Sequence, residues 1–537
     1  MVSPLNLAII FPLLGIVVTL ILDRVPTLKS YSKYVAALAC GLALSSVLMS
    51  SHVATQIQLL SAWRPAILLR TVLALRADST VQPLAVVLTG VTLSAFLVPF
   101  GHNSSYPVRQ RNAALGAVTS GLLAVFSVNV LSMIVGWVAY DVFCAIGHVG
   151  SGRSAHRTSR ILAIGFLSTI LLWAGSLRGG TGMDLGLWGL MEPSPQQLLP
   201  WALAGALRLG LYPFLNTSVP DKSDPLDTPF LMYRAIGWAL LLRILSTNGG
   251  VVPQFEWLSI LAVATLGTGS LLAWTCPNTS SIITGLAMGS TAAVLLAASL
   301  TPHYAAMIIR TGGSALLLGT ALTSLGGGIG RKTSWWSIPS GVGAVVLVML
   351  PLTLGFATIA FLLDGIIQRR DFWWGLAFFV HQVLLIPSVT RMLRGVAYPT
   401  PRNHWEAASW AVGLALPAVA ILSLGLWPTV ITGSTQQLPG IGDLLGLPGL
   451  TGWLLWLVAV GMGGILAWQD AKMRVRIGLW LTAIHDLLRL DWLYRTAEGA
   501  ADRGLSLLRV IDETIAGTGA LFWSILLVLV LVLAQGM

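Results

Sequence analysis

Stretches of roughly 20 apolar residues, each long enough to cross a hydrocarbon layer, recur from one end of this chain to the other. We count about 16 on that length criterion. They lie near residues 5–23, 33–50, 80–100, 112–129, 130–148, 160–177, 198–217, 229–247, 256–275, 279–300, 303–325, 340–365, 372–393, 406–430, 450–469 and 518–536. Lipid offers backbone N–H and C=O groups no hydrogen-bond partner, so each such stretch must satisfy its own as a helix. Of the 537 residues, 55% are hydrophobic and only 9% are charged, a balance that excludes a soluble globular domain. The chain reads as an all-α, polytopic membrane protein.

Little else in the composition points to chemistry. The N-terminus, MVSPLNLAII, runs straight into the first span without a basic region or a small-residue cleavage site, so it reads as an uncleaved helix. Cys40, Cys144 and Cys276 lie in or beside apolar segments with no metal-binding spacing, as small buried hydrophobes do. No phosphate-binding loop or dinucleotide fingerprint is present, and no cofactor is expected. The net charge of +11 belongs to the loops, so nucleic acid is not an expected partner. Arg24, Lys29 and Lys33, then Arg109 and Arg111, then Arg153, Arg157 and Arg160, then Arg331 and Lys332, then Arg391, Arg394 and Arg402 all fall on one side. The positive-inside rule makes that side cytoplasmic and the N-terminus extracytoplasmic, as in a bacterial inner membrane. Arg64, Arg70, Arg76, Arg369 and Arg370 oppose this orientation without outweighing it.

Asp141, Arg208, Arg234, Arg310, Asp364 and His381 are stranded in or at the edge of apolar stretches. A charge at the bilayer centre costs on the order of 3 kcal/mol even on the mildest scale, so such residues face partners or a wet cavity. They are candidates for an ion path or for its remains. Toward the C-terminus, residues 471–517 mix charges with Ile484, Leu487, Leu488, Trp492, Leu505 and Leu508 at helical spacing. That spacing predicts an amphipathic segment along the membrane surface or a neighbouring protein, broken at Gly499, Gly504 and Gly517. A last span, 518–537, follows.

A series of short motifs runs along the chain in a fixed order. Trp63 and Pro65 precede Asp78; Asn129 precedes GWVAYDVFCAIG (136–147). GALRLGLYPF (205–214) is followed by Pro220–Asp221, Thr228–Pro229 and AIGWALLLR (235–243). LGGGIGRK (325–332) and LPLTLGF (350–356) come later. This order resembles the large antiporter-like subunits of respiratory complex I, membrane-bound hydrogenases and Mrp-type cation/proton antiporters. The resemblance implies two inverted five-helix repeats, each with one broken helix lining a half-channel. It divides the chain into N-terminal helices (1–111), a first repeat (112–247), a second repeat (256–393), C-terminal helices (394–470), the amphipathic segment and the final helix. Pro213 and Pro220 would break the first such helix, and Pro351 the second.

The resemblance also implies a relay of glutamate and proton-labile lysines, and this sequence departs from it repeatedly. Val138 stands where the glutamate should follow Trp137, with Asp141 one helical turn later. Arg208 stands where the broken helix should carry lysine, and Arg310 where a later lysine should be. Ala235 and Ile359 replace two more, with Arg234 adjacent to the first and able to reach toward an interface. Arginine is effectively never deprotonated in proteins. An Asp141–Arg208 pair would therefore be fixed: a structural tie between helices, or a charge that modulates a neighbouring path. His381 is the best remaining titratable group within a span, to be weighed against a satisfied structural histidine. Asp364 is expected beside Arg369 or Arg370, and His303 at a loop edge.

These departures imply a divergent membrane subunit of a complex I-like or Mrp-like assembly, a scaffold or coupling element whose own proton path is weakened. Other membrane subunits and lipid are the expected partners, with protons or sodium as the transported ion. The rival is an active translocator with a rewired path through Asp141, His381 and hydroxyl groups. Membership of an inorganic-carbon uptake complex, or a stand-alone carrier sharing only the fold, are the remaining alternatives.

Overall fold

The computed structural model describes residues 3–50, 57–59, 73–101, 107–150, 155–177, 188, 193–214, 225–248, 256–276, 278–326, 338–350, 353–370, 372–394, 403–426, 441–496, 499–500, 503 and 506. The chain divides into two compact units, Met1–Gly478 and Leu479–Met537. The first is a helical bundle and holds every ionisable candidate discussed above.

Its helices are α1 (Pro4–Arg24), α2 (Ser32–Ser50), α3 (Gln82–Leu97), α4 (Val108–Val125), α5 (Val130–Gly150), α6 (Ala155–Leu177) and α7 (Pro195–Leu209). A 3-10 turn, Pro225–Met232, leads into α8 (Tyr233–Thr247). Then come α9 (Glu256–Thr275), α10 (Thr279–Leu300), α11 (Ala305–Gly326), α12 (Ile338–Leu347), α13 (Phe356–Arg369), α14 (Phe372–Arg394), α15 (His404–Leu426), α16 (Ile441–Gly446) and α17 (Gly449–Arg489). Burial sorts them. The spans containing α8, α10 and α11 are 89%, 89% and 94% buried, whereas that of α1 is 28% buried. The first three form the centre. Helix α1 turns Leu14, Val17 and Ile21 outward, as a lipid-facing or partner-facing helix does.

Among the described residues, 12 helical spans are long and apolar enough to cross a membrane, against the about 16 expected on the 20-residue criterion. The chain is an integral, multi-pass membrane protein. The difference has identifiable causes. Helix α4, with Gln110, Arg111 and Asn112 in its first turn, falls below the apolarity of a span, yet it buries those polar residues inside the bundle. The expected span 198–217 ends as helix at Leu209. The expected span 340–365 is two shorter helices, α12 and α13, separated by a kink at Met349 (φ 60°). The span at 518–536 lies outside the described residues.

Helix α7 ends short of its expected span, and its ends are built locally. Ser194 and Gln197 form a capping box at its start, with Pro195 at the first helical position. Gly210 ends it in the left-handed conformation (φ 70°), its N–H bonded back to the carbonyls of Ala206 and Leu207. The terminator is therefore a C-terminal glycine, with Pro213 three residues beyond it rather than inside the helix. Pro220 and Pro351 lie outside the described residues, as do Trp63, Pro65 and most of LGGGIGRK.

Two features were not expected. Gln58–Leu59 (β1) pairs antiparallel with Ala74–Leu75 (β2), and Leu75 bridges to Ser127. This small layer closes the loop end of α4 and α5: Arg76 N–H donates to Phe126, Val128 N–H to Ala74 and Trp188 N–H to Val128. The helical stretch α17 also extends past the expected span 450–469 and is kinked by non-helical backbone at Ile477 (φ −114°, ψ 18°). In the second unit the chain turns at Leu490 (φ 55°), where Arg489 pairs with Asp491 at 3.0 Å. Gly499 is itself helical, so the first expected break falls instead at Leu490. Gly504 and Gly517 lie outside the described residues.

A Cβ at Gly210 would force a side chain into left-handed backbone, at a cost of about 1 kcal/mol. Gly210→Ala is expected to lower the thermal unfolding midpoint in detergent. An unchanged midpoint would mean that the break does not depend on this turn.

A buried ion pair at the end of α7

Asp141 lies in the middle of α5 and Arg208 in the last turn of α7. The C-terminal end of a helix carries partial negative charge, so it favours an arginine there. The two side chains meet face to face: Arg208 Nη1 donates to Asp141 Oδ1 at 2.6 Å, and Nη2 to Oδ2 at 2.7 Å. Nη2 also donates to the Gly165 carbonyl at 3.2 Å and to Thr169 Oγ1 at 3.3 Å, both on α6. The guanidinium lies over the Trp137 ring, 4.5 Å from its centroid. Both side chains are largely withdrawn from solvent, at 4% and 11% exposure. Three helices are thus tied by one bidentate pair of the strong, charge-assisted kind. The predicted Asp141–Arg208 pairing is present, one turn from the position where the family's glutamate would sit.

Gly165 makes this approach possible. A Cβ built on it would overlap the Asp141 carboxylate. The sequence had not marked Gly165, because a glycine in an apolar helix carries no charge signal.

A small cleft lies against the pair, with room for about one water (about 10 Å³). Tyr140, Cys144 and His148 of α5 line it along with Phe230 and Tyr233. The Tyr140 hydroxyl donates to the Pro229 carbonyl at 2.9 Å. The His148 ring packs against Phe230, centroids 5.5 Å apart. The Tyr233 hydroxyl, in a residue 5% exposed, has no hydrogen-bond partner among the described residues. Sequence reasoning passed over His148. Its signal was there, since Asp141, Cys144 and His148 follow at i, i+3 and i+7 on one helical face.

The other candidates are dispersed. Arg234 is 3% exposed and does not reach an interface: its Nε donates to the Leu209 carbonyl at 3.3 Å and its guanidinium lies 4.8 Å from the Tyr233 ring centroid. The short α7 brings that terminal carbonyl within reach. Arg310 is buried near the start of α11, with Nε on the Ala306 carbonyl at 3.3 Å. His381 on α14 is buried with Nδ1 2.5 Å from Ser270 Oγ on α9. Ser270 also donates to the Leu266 carbonyl at 2.5 Å. With its one proton used there, the serine receives the bond from the ring. Asp364 is not held by Arg369 or Arg370; its partner is Gln368, one turn away, at 2.8 Å. The two arginines close the end of α13, beyond the turn that Gln368 occupies.

Asp78, read from sequence only as a landmark, proves to be a second charge hub. Its Oδ1 accepts the N–H groups of Thr80 (3.0 Å) and Val81 (3.2 Å), while Oδ2 accepts from Arg243 at 2.5 Å and Arg76 at 3.4 Å. Burial alone pushes this carboxyl up, but Arg243, Arg76 and the Val81 N–H outweigh it and hold it below the usual carboxylate range. A third hub, Asp470 on α17, accepts from Trp274 Nε1 at 3.0 Å and pairs with Arg474 at 2.9 Å and Arg391 at 3.8 Å. Arg391 and Arg474 also donate to the carbonyls of Ala273 and Trp274 at the end of α9.

The first comparison that bears on this arrangement is with a chain in the structure of the Mrp complex from Dietzia sp. DQ12-45-1b. The match has a TM-score of 0.73 at 16% identity over 99% of this chain, which spans 62% of the length of that one. A chain in the structure of the membrane-bound sulfane sulfur reductase, an archaeal respiratory membrane complex, matches at TM-score 0.71 and 13% identity, over 99% of this chain and 100% of that one. No family model and no curated protein sequence matches the chain. At these identities the likeness is one of fold: an all-helical, multi-pass membrane chain like the subunits of those two complexes.

Two outcomes test the charge hubs. Gly165→Ala should displace Asp141 and destabilise the bundle by about 3 kcal/mol, the scale of a disrupted buried pair, read as a fall in unfolding midpoint. The Asp78 carboxyl is held down in the folded chain, so its contribution is complete above its unfolded pKa of about 3.9 and is lost as pH falls below it. Asp78→Asn should therefore lower stability near neutral pH and flatten the acid limb of a stability-against-pH curve.

Proposed function

We propose that this chain is a divergent antiporter-like subunit of a multi-subunit, ion-translocating membrane assembly of the complex I or Mrp kind. It acts there as a scaffold or coupling element, with its own proton path interrupted. The observation that carries this reading is the bidentate, buried Asp141–Arg208 pair. A relay needs a base that can release its proton as neighbouring charge changes, and burial can bring lysine into that range. Arginine keeps its proton, so it fixes the carboxylate instead of switching it. Arg310, likewise an arginine and buried, supports the same conclusion in the second half of the bundle.

In this reading α4–α8 (112–247) and α9–α14 (256–393) are the two repeats. Their broken helices are α7, ending at Gly210, and the α12–α13 pair. The remaining helices flank them. Partner subunits and lipid cover the outward residues of α1 and the outward Leu457, Ile465 and Trp468 of α17. The loop charges orient the N-terminus outward across a bacterial cytoplasmic membrane. Electron transfer, in an assembly that performs it, belongs to another subunit. The rival reading, an active translocator, draws on the His381–Ser270 contact as a titratable point within the second repeat.

The two readings separate in the native assembly carrying Asp141→Asn. Removing the carboxylate leaves Arg208 buried and uncompensated, at a cost of about 3–5 kcal/mol. The scaffold reading expects less assembled complex and a lower unfolding midpoint, with ion flux per assembled complex unchanged. Full assembly with flux abolished would establish the translocator instead.

A further inference from the structure

The end of α1 and the starts of α2 and α4 come together at one edge of the bundle, and cations gather there. Arg111 of α4 is buried and donates to Ser32 Oγ at the start of α2. Ser32 in turn donates to the Lys29 carbonyl at 2.8 Å, which ties the α1–α2 connection to this corner. The Lys29 ammonium is exposed and lies 3.6 Å from Asp23. Lys33 is half-buried, with its ammonium on the Phe100 carbonyl at 2.7 Å. That bond uses one of three ammonium protons. Arg24, next to Asp23 and last in α1, is exposed. Neither Arg24 nor Lys33 pairs with a carboxylate among the described residues, so the corner carries uncompensated positive charge.

An apolar surface runs from these cations into the span. Tyr34, Leu38 and Leu42 follow at i, i+4 and i+8 on one exposed face of α2. Val17, Ile21 and Arg24 do the same at i, i+4 and i+7 on α1, which packs beside it. Tyr31 and Tyr34 stand at the boundary, both exposed, with ring centroids 6.5 Å apart. The Lys33 ammonium lies 5.3 Å from the Tyr34 ring centroid. Cations at the rim, tyrosines beneath them and aliphatic side chains further in match the layers of a phospholipid: headgroup, glycerol region and acyl chain.

We propose that this α1–α2 face is a binding site for an anionic phospholipid. Arg24, Lys29 and Lys33 hold its phosphate, and its acyl chains lie along Ile21 and Val17 of α1 and Leu38 and Leu42 of α2. Charge complementarity selects the occupant. A zwitterionic lipid brings its own cation to the same rim, whereas an anionic lipid brings only the charge that the corner lacks. The site is independent of whether the chain passes protons, so it holds for the scaffold and the translocator alike.

Native mass spectrometry of the full chain, delipidated in mild detergent and titrated with lipid, tests this. Phosphatidylglycerol and phosphatidylcholine of identical acyl chains are the probes. The unsubstituted chain is expected to retain phosphatidylglycerol in preference to phosphatidylcholine. Lys29→Gln with Lys33→Gln should weaken that retention by about fivefold for each charge removed, and Arg24→Gln alone by about fivefold. Arg369→Gln with Arg370→Gln, which removes two exposed cations from the end of α13, should leave it unchanged. Arg24 is exposed, so its variant keeps the test decisive if the lysine pair proves necessary for folding. Equal retention of the two lipids would overturn the proposal. So would an equal loss in the Arg369/Arg370 variant, because attraction would then be diffuse rather than sited. Displacement of phosphatidylglycerol by excess inorganic phosphate would also overturn it, in favour of a site for free anions.

Discussion

One buried guanidinium–carboxylate contact governs how the first half of this bundle can behave. Taking two charges out of water is costly, and the attraction between them compensates only when the remaining donors are also satisfied. Here Gly165 and Thr169 accept from the same Arg208 nitrogen, Trp137 covers the guanidinium face, and the end of α7 supplies favourable dipole charge. The contact is well made for holding α5, α6 and α7 together. For the same reasons it is poorly made for passing a proton. Each satisfied donor deepens the charged state, and the arginine has no accessible neutral form.

The same solution recurs at Asp78 and Asp470. Each is an acid largely withdrawn from solvent and gripped by an arginine distant in sequence: Arg243 in one case, Arg391 in the other. Apolar contact discriminates weakly between helices when lipid tails are as apolar as leucine. Charged and hydrogen-bonded ties supply register instead. Arg391 and Arg474 do this at the end of α9, where unsatisfied carbonyls await donors. These hubs fix which helices meet, leaving burial of small and branched residues to fill the space between them.

Much of this was legible in the sequence, because the period and length of apolar stretches report helix and lipid directly. The Asp141–Arg208 pairing was also legible, since two opposite charges stranded in spans separated by only one other have few other ways to be buried. Other features carry no such signal. The end of α7 at Gly210 depends on a left-handed turn, and a prolyl residue nearby drew attention away from it. The burial of Arg234 follows from where α7 stops, which places the Leu209 carbonyl within its reach. The pairing of β1 with β2 involves two residues per strand, too few for any alternation to register. Asp78 was visible as a landmark, but its partner Arg243 lies far along the chain, near the end of α8. His148 could have been found by following the Asp141 face of α5 two turns further.

Proton flux through the purified chain tests the central claim most directly. Reconstituted alone in liposomes under an imposed potential, with a pH-sensitive dye inside, the unsubstituted chain should acidify the lumen no faster than protein-free vesicles. A flux that rises with protein content and is abolished by Asp141→Asn would contradict the account, because the locked pair would then be part of a working path.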